Sequence, residues 1–157
     1  RDGVYVHKVL NRIMHAVVAE QVIVLKAKNG GAIPQPGSKL TSSVLYEVYS
    51  HKGSSVLERW QDQPLDEFYL GLLLQLADDK LVNLLTDRLP DDALIKDVYM
   101  ANNVILSKVV ELSRSPGSYY YMSITFTNPP RVGQVVIDEE IRVAQRELQR
   151  FLEDDKG

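Results

Sequence analysis

The 157-residue chain contains no cysteine, which removes disulfide cross-links, thiol nucleophiles and thiolate-bound zinc. Long apolar runs are also missing. Residues 22–25 and 72–74 are typical of its apolar stretches, far short of the roughly 18–20 residues a helix needs to cross a bilayer. The 18 Lys and Arg residues are scattered and the formal net charge is −3. No basic track is therefore offered to phosphates, and nucleic acid is not the expected partner. The chain starts at Arg1 without a basic and then apolar leader, which reads as a domain excised from a larger protein, with a cytoplasmic placement as the default.

Motifs that carry chemistry are scarce as well. There is no HExxH, paired-histidine or EF-hand pattern and no GxSxG elbow. The segment "NGGAIPQPG" lacks the lysine and the spacing of a phosphate loop or dinucleotide fingerprint. His7 and His15 lie too far apart on one helix to share a metal, and His51 sits in a turn with no second ligand beside it. The acidic pairs Asp78/Asp79, Asp91/Asp92 and Asp154/Asp155 adjoin helix boundaries or the terminus, where capping and solvation explain them. Divalent-ion binding by the first two pairs with a histidine would be needed to support an enzyme. The expectation is a non-enzymatic protein without cofactor or metal.

What is present is an ordinary globular composition, 45% hydrophobic and 25% charged. One core suits a chain of this length. Val6, Leu10, Ile13, Val17, Val22 and Leu25 recur at helical spacing, predicting a helix over residues 4–26, although the β-branched "QVIVLKAK" also suits a strand. "KNGGAIPQPGSK" is the clearest loop.

In "VLYEVYSHKGSSVLERWQ", residues 44–49 and 56–61 alternate around a polar, glycine-containing centre, predicting a hairpin. Leu65, Phe68, Tyr69, Leu72, Leu73 and Leu76 return to helical spacing, with Asp62 as cap and Pro64 in the first turn. Asp78, Asp79 and Lys80 interrupt this helical region, which extends to Leu89. The most regular stripe is Leu94, Val98, Ala101, Ile105, Val109 and Leu112, predicting a long helix over residues 92–112 capped by Asp91 or Asp92.

"SRSPGS" then turns the chain into the strand "YYYMSITFT", with Tyr120, Met122, Ile124 and Phe126 on its core-like face and Tyr119, Tyr121, Ser123 and Thr125 on a mixed one. Asn128-Pro129-Pro130 stops that strand. A final helix opens on Asp138, Glu139 and Glu140 and carries the stripe Ile141, Ala144, Leu148 and Phe151 or Leu152. These elements predict an α+β fold, a small, mainly antiparallel sheet packed by amphipathic helices on one side.

The strand, glycine-containing turn and "VLERWQ" of residues 44–61 resemble the hairpin of HORMA domains. The long helix leading into residues 119–127 is similar to the helix packed against a HORMA sheet. This resemblance implies a module that captures a partner's peptide or pairs with a related domain, as a homo- or heterodimer. Strand addition would use the edge of the hairpin or of residues 119–127. Tyr119, Tyr121, Tyr46 and Arg59 are the candidate partner-binding residues, aromatics being favoured at interfaces. Trp60 reads as a core anchor and Glu58 as a surface group beside it.

The leading expectation is thus a protein-interaction or adaptor module. The alternative is a ligand-sensing input domain of a larger signalling protein, with charged helices at both ends to join flanking segments. A small-molecule pocket between sheet and helices would favour that alternative.

Overall fold

The computed structural model describes residues 2–29, 39–50 and 55–156. The glycine–proline loop, His51 and the centre of the expected hairpin lie outside the described residues, as do the side chains of Asp154 and Asp155. Among the described residues, four α-helices and six strands form an α+β unit. Its antiparallel sheet has the order β3-β2-β1-β6-β5-β4.

Helix α1 (Asp2–Val17) buries Val6, Val9, Leu10, Ile13, Met14 and Val17 at spacings of three and four. It stops where Val18 takes the left-handed region, with φ 55°. The chain re-enters as β1 (Gln21–Asn29), so the helix expected to reach residue 26 ends nine residues earlier. The strand reading of "QVIVLKAK" prevails because both of its faces are covered. Val22 and Val24 enter one core, Ile23, Leu25 and Ala27 the other.

Strand β2 (Leu40–Tyr49) pairs with β1, and its register shifts between the partners of Val24 and Leu25. Leu45 is the extra residue. This bulge turns Val44 toward one core and Tyr46 and Val48 toward the other, so the alternation read over residues 44–49 is broken at Leu45.

The second arm of the predicted hairpin is not a strand. The N–H groups of Arg59 and Trp60 both donate to the Val56 carbonyl, while Glu47 accepts from Ser55 Oγ and Val56 N, each at 2.6 Å. These bonds curl the segment. Strand pairing on that side of β2 is left to β3 (Gln63–Pro64), where Pro64 occupies a sheet edge.

Helix α2 (Glu67–Ala77) is capped by Asp66, not Asp62. Asp66 also spans to the next helix: Oδ1 accepts from Tyr69 N–H and Oδ2 from Leu94 N–H, each at 2.9 Å. Residues 78–89, expected within a helical region, instead supply β4 (Val82–Leu85) and a short helical turn (Thr86–Arg88).

The largest correction concerns residues 92–112. Helix α3 spans only Leu94–Ala101, with Ala93 at its cap position, and the chain turns through Asn103 at φ 57° into β5 (Leu106–Ser115). Val109 and Leu112, expected on one helical stripe, enter opposite cores.

A turn containing Gly117 at φ 79° joins β5 to β6 (Ser118–Phe126), a conformation that favours glycine. The two-sided reading of β6 holds. Helix α4 (Gln134–Lys156) begins before Asp138, so the acidic triplet lies in its second turn instead of opening it. Ile137, Ile141, Ala144 and Leu148 are buried.

The helices cover both sides of the sheet, not one. Helices α1 and α4 close the first face over Val22, Val110, Met122, Ile124 and Phe126. Helices α2 and α3 cover the second, around Leu25, Val44, Trp60, Tyr69 and Tyr121.

Candidate functional site

A cavity of about 320 Å³ lies on the second face, between the sheet and helices α2 and α3. Its floor comes from β1, β2, β5 and β6 through Ile23, Val44, Val109 and Tyr121. Tyr69 and Leu72 of α2 and Ile95 and Tyr99 of α3 supply the roof. The volume is at the small end of ligand pockets, roughly 300–1,000 Å³.

Two hydroxyl clusters interrupt the apolar lining. In the first, Trp60 Nε1–H donates to Ser42 Oγ at 3.1 Å, and Ser42 Oγ and Tyr69 Oη each lie 2.6 Å from Tyr121 Oη. All four residues are buried. Burial holds the Tyr69 and Tyr121 phenols well above their ordinary pKa, and for Tyr69 the neighbouring Tyr121 adds to the rise. Both therefore stay neutral and able to donate and accept.

In the second, Ser107 Oγ lies 3.1 Å from Thr125 Oγ1, and Tyr99 borders the cavity together with Ser123 and Thr125. Burial raises the Tyr99 pKa, and the nearby Ser107 and Ser123 hydroxyls oppose that rise. Ser123, Thr125 and Tyr121 reach this wall because β6 alternates, while Met122, Ile124 and Phe126 point to the closed core.

Charge is sparse in the cavity. Among the described residues its wall holds no lysine, arginine or histidine and a single acid, Glu20. Glu20 Oε2 accepts from Thr127 N–H at 3.0 Å and Oε1 from Asn128 Nδ2–H at 2.9 Å. No cluster of three His, Asp or Glu able to hold a metal occurs among the described residues.

The residues selected from sequence do not form one surface. Tyr121, expected to be exposed, is 1% exposed and forms the cavity floor; two helices cover the strand face that alternation left open. Tyr119 is half-buried and stacks on Tyr121 with centroids 6.0 Å apart. Its hydroxyl is buried without a hydrogen-bond partner among the described residues, and burial beside the Glu111 carboxylate raises its pKa. Tyr46 packs toward the opposite face, with its ring 5.9 Å from that of His7. Arg59 is exposed and closes its own turn by donating to the Ser55 carbonyl at 2.7 Å. Trp60 is buried as anticipated, yet it also borders the cavity.

Residues 119–127 offer no free edge, because β6 lies between β1 and β5. Nor is the Val44 N–H available to an added strand, since it donates to the Trp60 carbonyl at 3.0 Å. Sequence reasoning missed Tyr69, Tyr99, Ser123 and Thr125. The available signal was the row of small hydroxyl residues opposite an apolar face in β6.

No family model matches the chain, and no curated protein sequence is similar to it. Solved structures do share its architecture. A GAF domain of Synechocystis in its photoproduct state superposes with a TM-score of 0.72 at 9% identity, covering 99% of this chain and 96% of that one. The blue-light-absorbing form of the PixJ GAF domain of Thermosynechococcus elongatus gives 0.63 at 13% identity, covering 98% and 89%. The GAF domain of a sensor histidine kinase of Bacillus halodurans gives 0.61 at 9% identity, covering 96% and 95%. These likenesses overturn the HORMA resemblance, whose second hairpin strand does not form among the described residues: the fold of this chain is that of a GAF domain.

Proposed function

We propose that the protein is a ligand-sensing input domain of a signalling protein and that a small molecule bound in the cavity is its signal. The observation that carries this reading is the cavity itself, walled by aromatic and aliphatic side chains and carrying a few convergent hydroxyls. The similar folds of a sensor histidine kinase domain and of light-absorbing domains support it. The role is one of binding without catalysis. With no cysteine in the chain, the ligand is held without a thioether bond.

Contacts from the cavity side to α4 provide a mechanical link. Lys108, whose strand neighbour Val109 lines the cavity, donates through Nζ to Asp138 Oδ1 on α4 and to Asn83 Oδ1, each at 2.8 Å. Arg142 of α4 donates to the Asp79 carbonyl at 3.0 Å, just after α2, and Gln145 Nε2–H donates to the Glu111 carbonyl at 2.8 Å. Ordering α2 and β5 around a ligand therefore acts on α4, a coupling of the kind that shifts populations. The protein-interaction reading has no comparable observation, since Tyr119, Tyr121, Tyr46 and Arg59 are divided among two faces and a turn.

The test is a thermal-shift screen of a small-metabolite library, followed by calorimetry. A true ligand at 100 times its Kd stabilises the fold by about 2.7 kcal/mol. Val109→Phe or Val98→Phe, which fill the cavity, should remove the shift while preserving the cooperative melt. A hit that still stabilises both filled variants, or a library with no hit, would overturn the proposal.

A further inference from the structure

Resting on the sensing reading, we propose that the cavity takes an uncharged planar aromatic molecule of about one or two fused rings that presents an amide-like edge. The cavity is unsuited to a charged ligand. A buried anion is held best by a cation, and the donors that line the cavity among the described residues are neutral groups such as the Asn103 amide and the Ser123 hydroxyl, with no basic side chain. A ligand cation would need a carboxylate. The one acid in the wall, Glu20, already has each oxygen engaged by a protein donor.

The shape of the wall suits a flat ring. Rings of Trp60, Tyr69, Tyr99 and Tyr121 contribute to the wall. The Tyr69 ring centroid lies 6.2 Å from both Trp60 and Tyr121, tilted to the first and edge-on to the second. Edges and faces set at such angles receive another aromatic ring in the offset or T-shaped contacts that arenes prefer.

At the polar end, Tyr99, Ser123 and Thr125 line the cavity and Thr125 Oγ1 lies 3.1 Å from Ser107 Oγ. A hydroxyl has one donor and two acceptor positions. Linked hydroxyls therefore retain acceptor capacity and can rotate to donate. An amide or lactam edge supplies both complements, whereas a carboxylate only accepts and an ammonium only donates. Ser123 and Thr125 are the specificity residues in this assignment, standing two positions apart on one strand face.

Calorimetry of the full chain with 1-naphthamide, 1-naphthoate, 1-naphthylmethylammonium and unsubstituted naphthalene tests the assignment. The amide should bind at least tenfold more tightly than either charged compound. Ser123→Ala combined with Thr125→Val should weaken the amide about tenfold while leaving naphthalene within about twofold, a split that general loosening of the fold would not produce. Equal or tighter binding of the naphthoate or the ammonium compound would overturn the uncharged class. Failure of all four probes, with a different library compound blocked by Val109→Phe, would overturn the class but spare the sensing reading. A library with no hit would remove both.

Discussion

The two faces of one sheet are finished differently. Beneath α1 and α4 the interior is mainly aliphatic, with Leu10, Val110, Ile124, Phe126, Ile137 and Ile141 all essentially inaccessible. Beneath α2 and α3 the same strands present tyrosine, serine and threonine around an open volume, which Trp60 borders from a neighbouring turn. The closed face makes the domain stable, and the second is held open at a cost in lost packing. Alternation along each strand permits both. Val109 and Val110 are sequence neighbours, yet one borders the cavity and the other fills the closed core.

The sharpest way to test this contrast is deletion on each face. Phe126→Ala, in the closed core, should cost about 3–5 kcal/mol in urea unfolding, whereas Leu72→Ala beside the cavity should fall near 2 kcal/mol, the lower end for such truncations. Equal losses would mean that the two faces are packed alike.

Enlargement should separate them in the same order. Val110→Leu overpacks a filled site and should cost about 1–3 kcal/mol, while Val109→Leu should change stability by less than about 1 kcal/mol. Denaturation of the two variants side by side reads the difference directly.

Asp66 fastens the roof rather than the closed core. Asp66→Ala removes the cap acceptor of α2 together with the bond to Leu94 and should cost about 1–2 kcal/mol. Hydrogen exchange should quicken in α2 and α3 and remain slow in α1 and α4. Uniform quickening would contradict this division.

The smallest contrast is in pH. The Tyr69 and Tyr121 phenols have folded-state pKa values raised above their ordinary value of 10.0. Their contribution is thus fully present below about pH 10, where the unfolded chain also keeps them neutral, and is lost as pH rises beyond it. Tyr69→Phe with Tyr121→Phe should flatten this alkaline decline, while Ile124→Val on the closed face should leave its slope unchanged. Chemical denaturation between pH 8 and about pH 11 checks the outcome.

The α1 and α4 stripes were readable because each buries one face against a single partner layer, so spacing and burial agree. Strand β6 was readable for the same reason at period two. The 92–112 stripe misled because two different structures happened to place apolar residues at helical intervals. Asn102 and Asn103 ended the helix, and the β-branched residues beyond them belonged to a strand covered on both faces. The Val56–Trp60 turn misled because Glu47, distant in the pattern, captures Ser55 and Val56. Tyr121 seemed available for a partner since nothing in β6 itself reveals that α2 and α3 cover that face.

By itself, the sequence determined an antiparallel α+β fold with amphipathic terminal helices, a two-faced β6 and a buried Trp60, all set by local periodicity and apolar content. Only the tertiary structure decided that helices cover both sides of the sheet, and that Tyr69, Tyr99, Ser123 and Thr125 meet around one cavity. The physical reason is range. Periodicity reports which side of an element is buried, whereas a cavity is bounded by residues far apart in the chain and exists where their side chains do not meet.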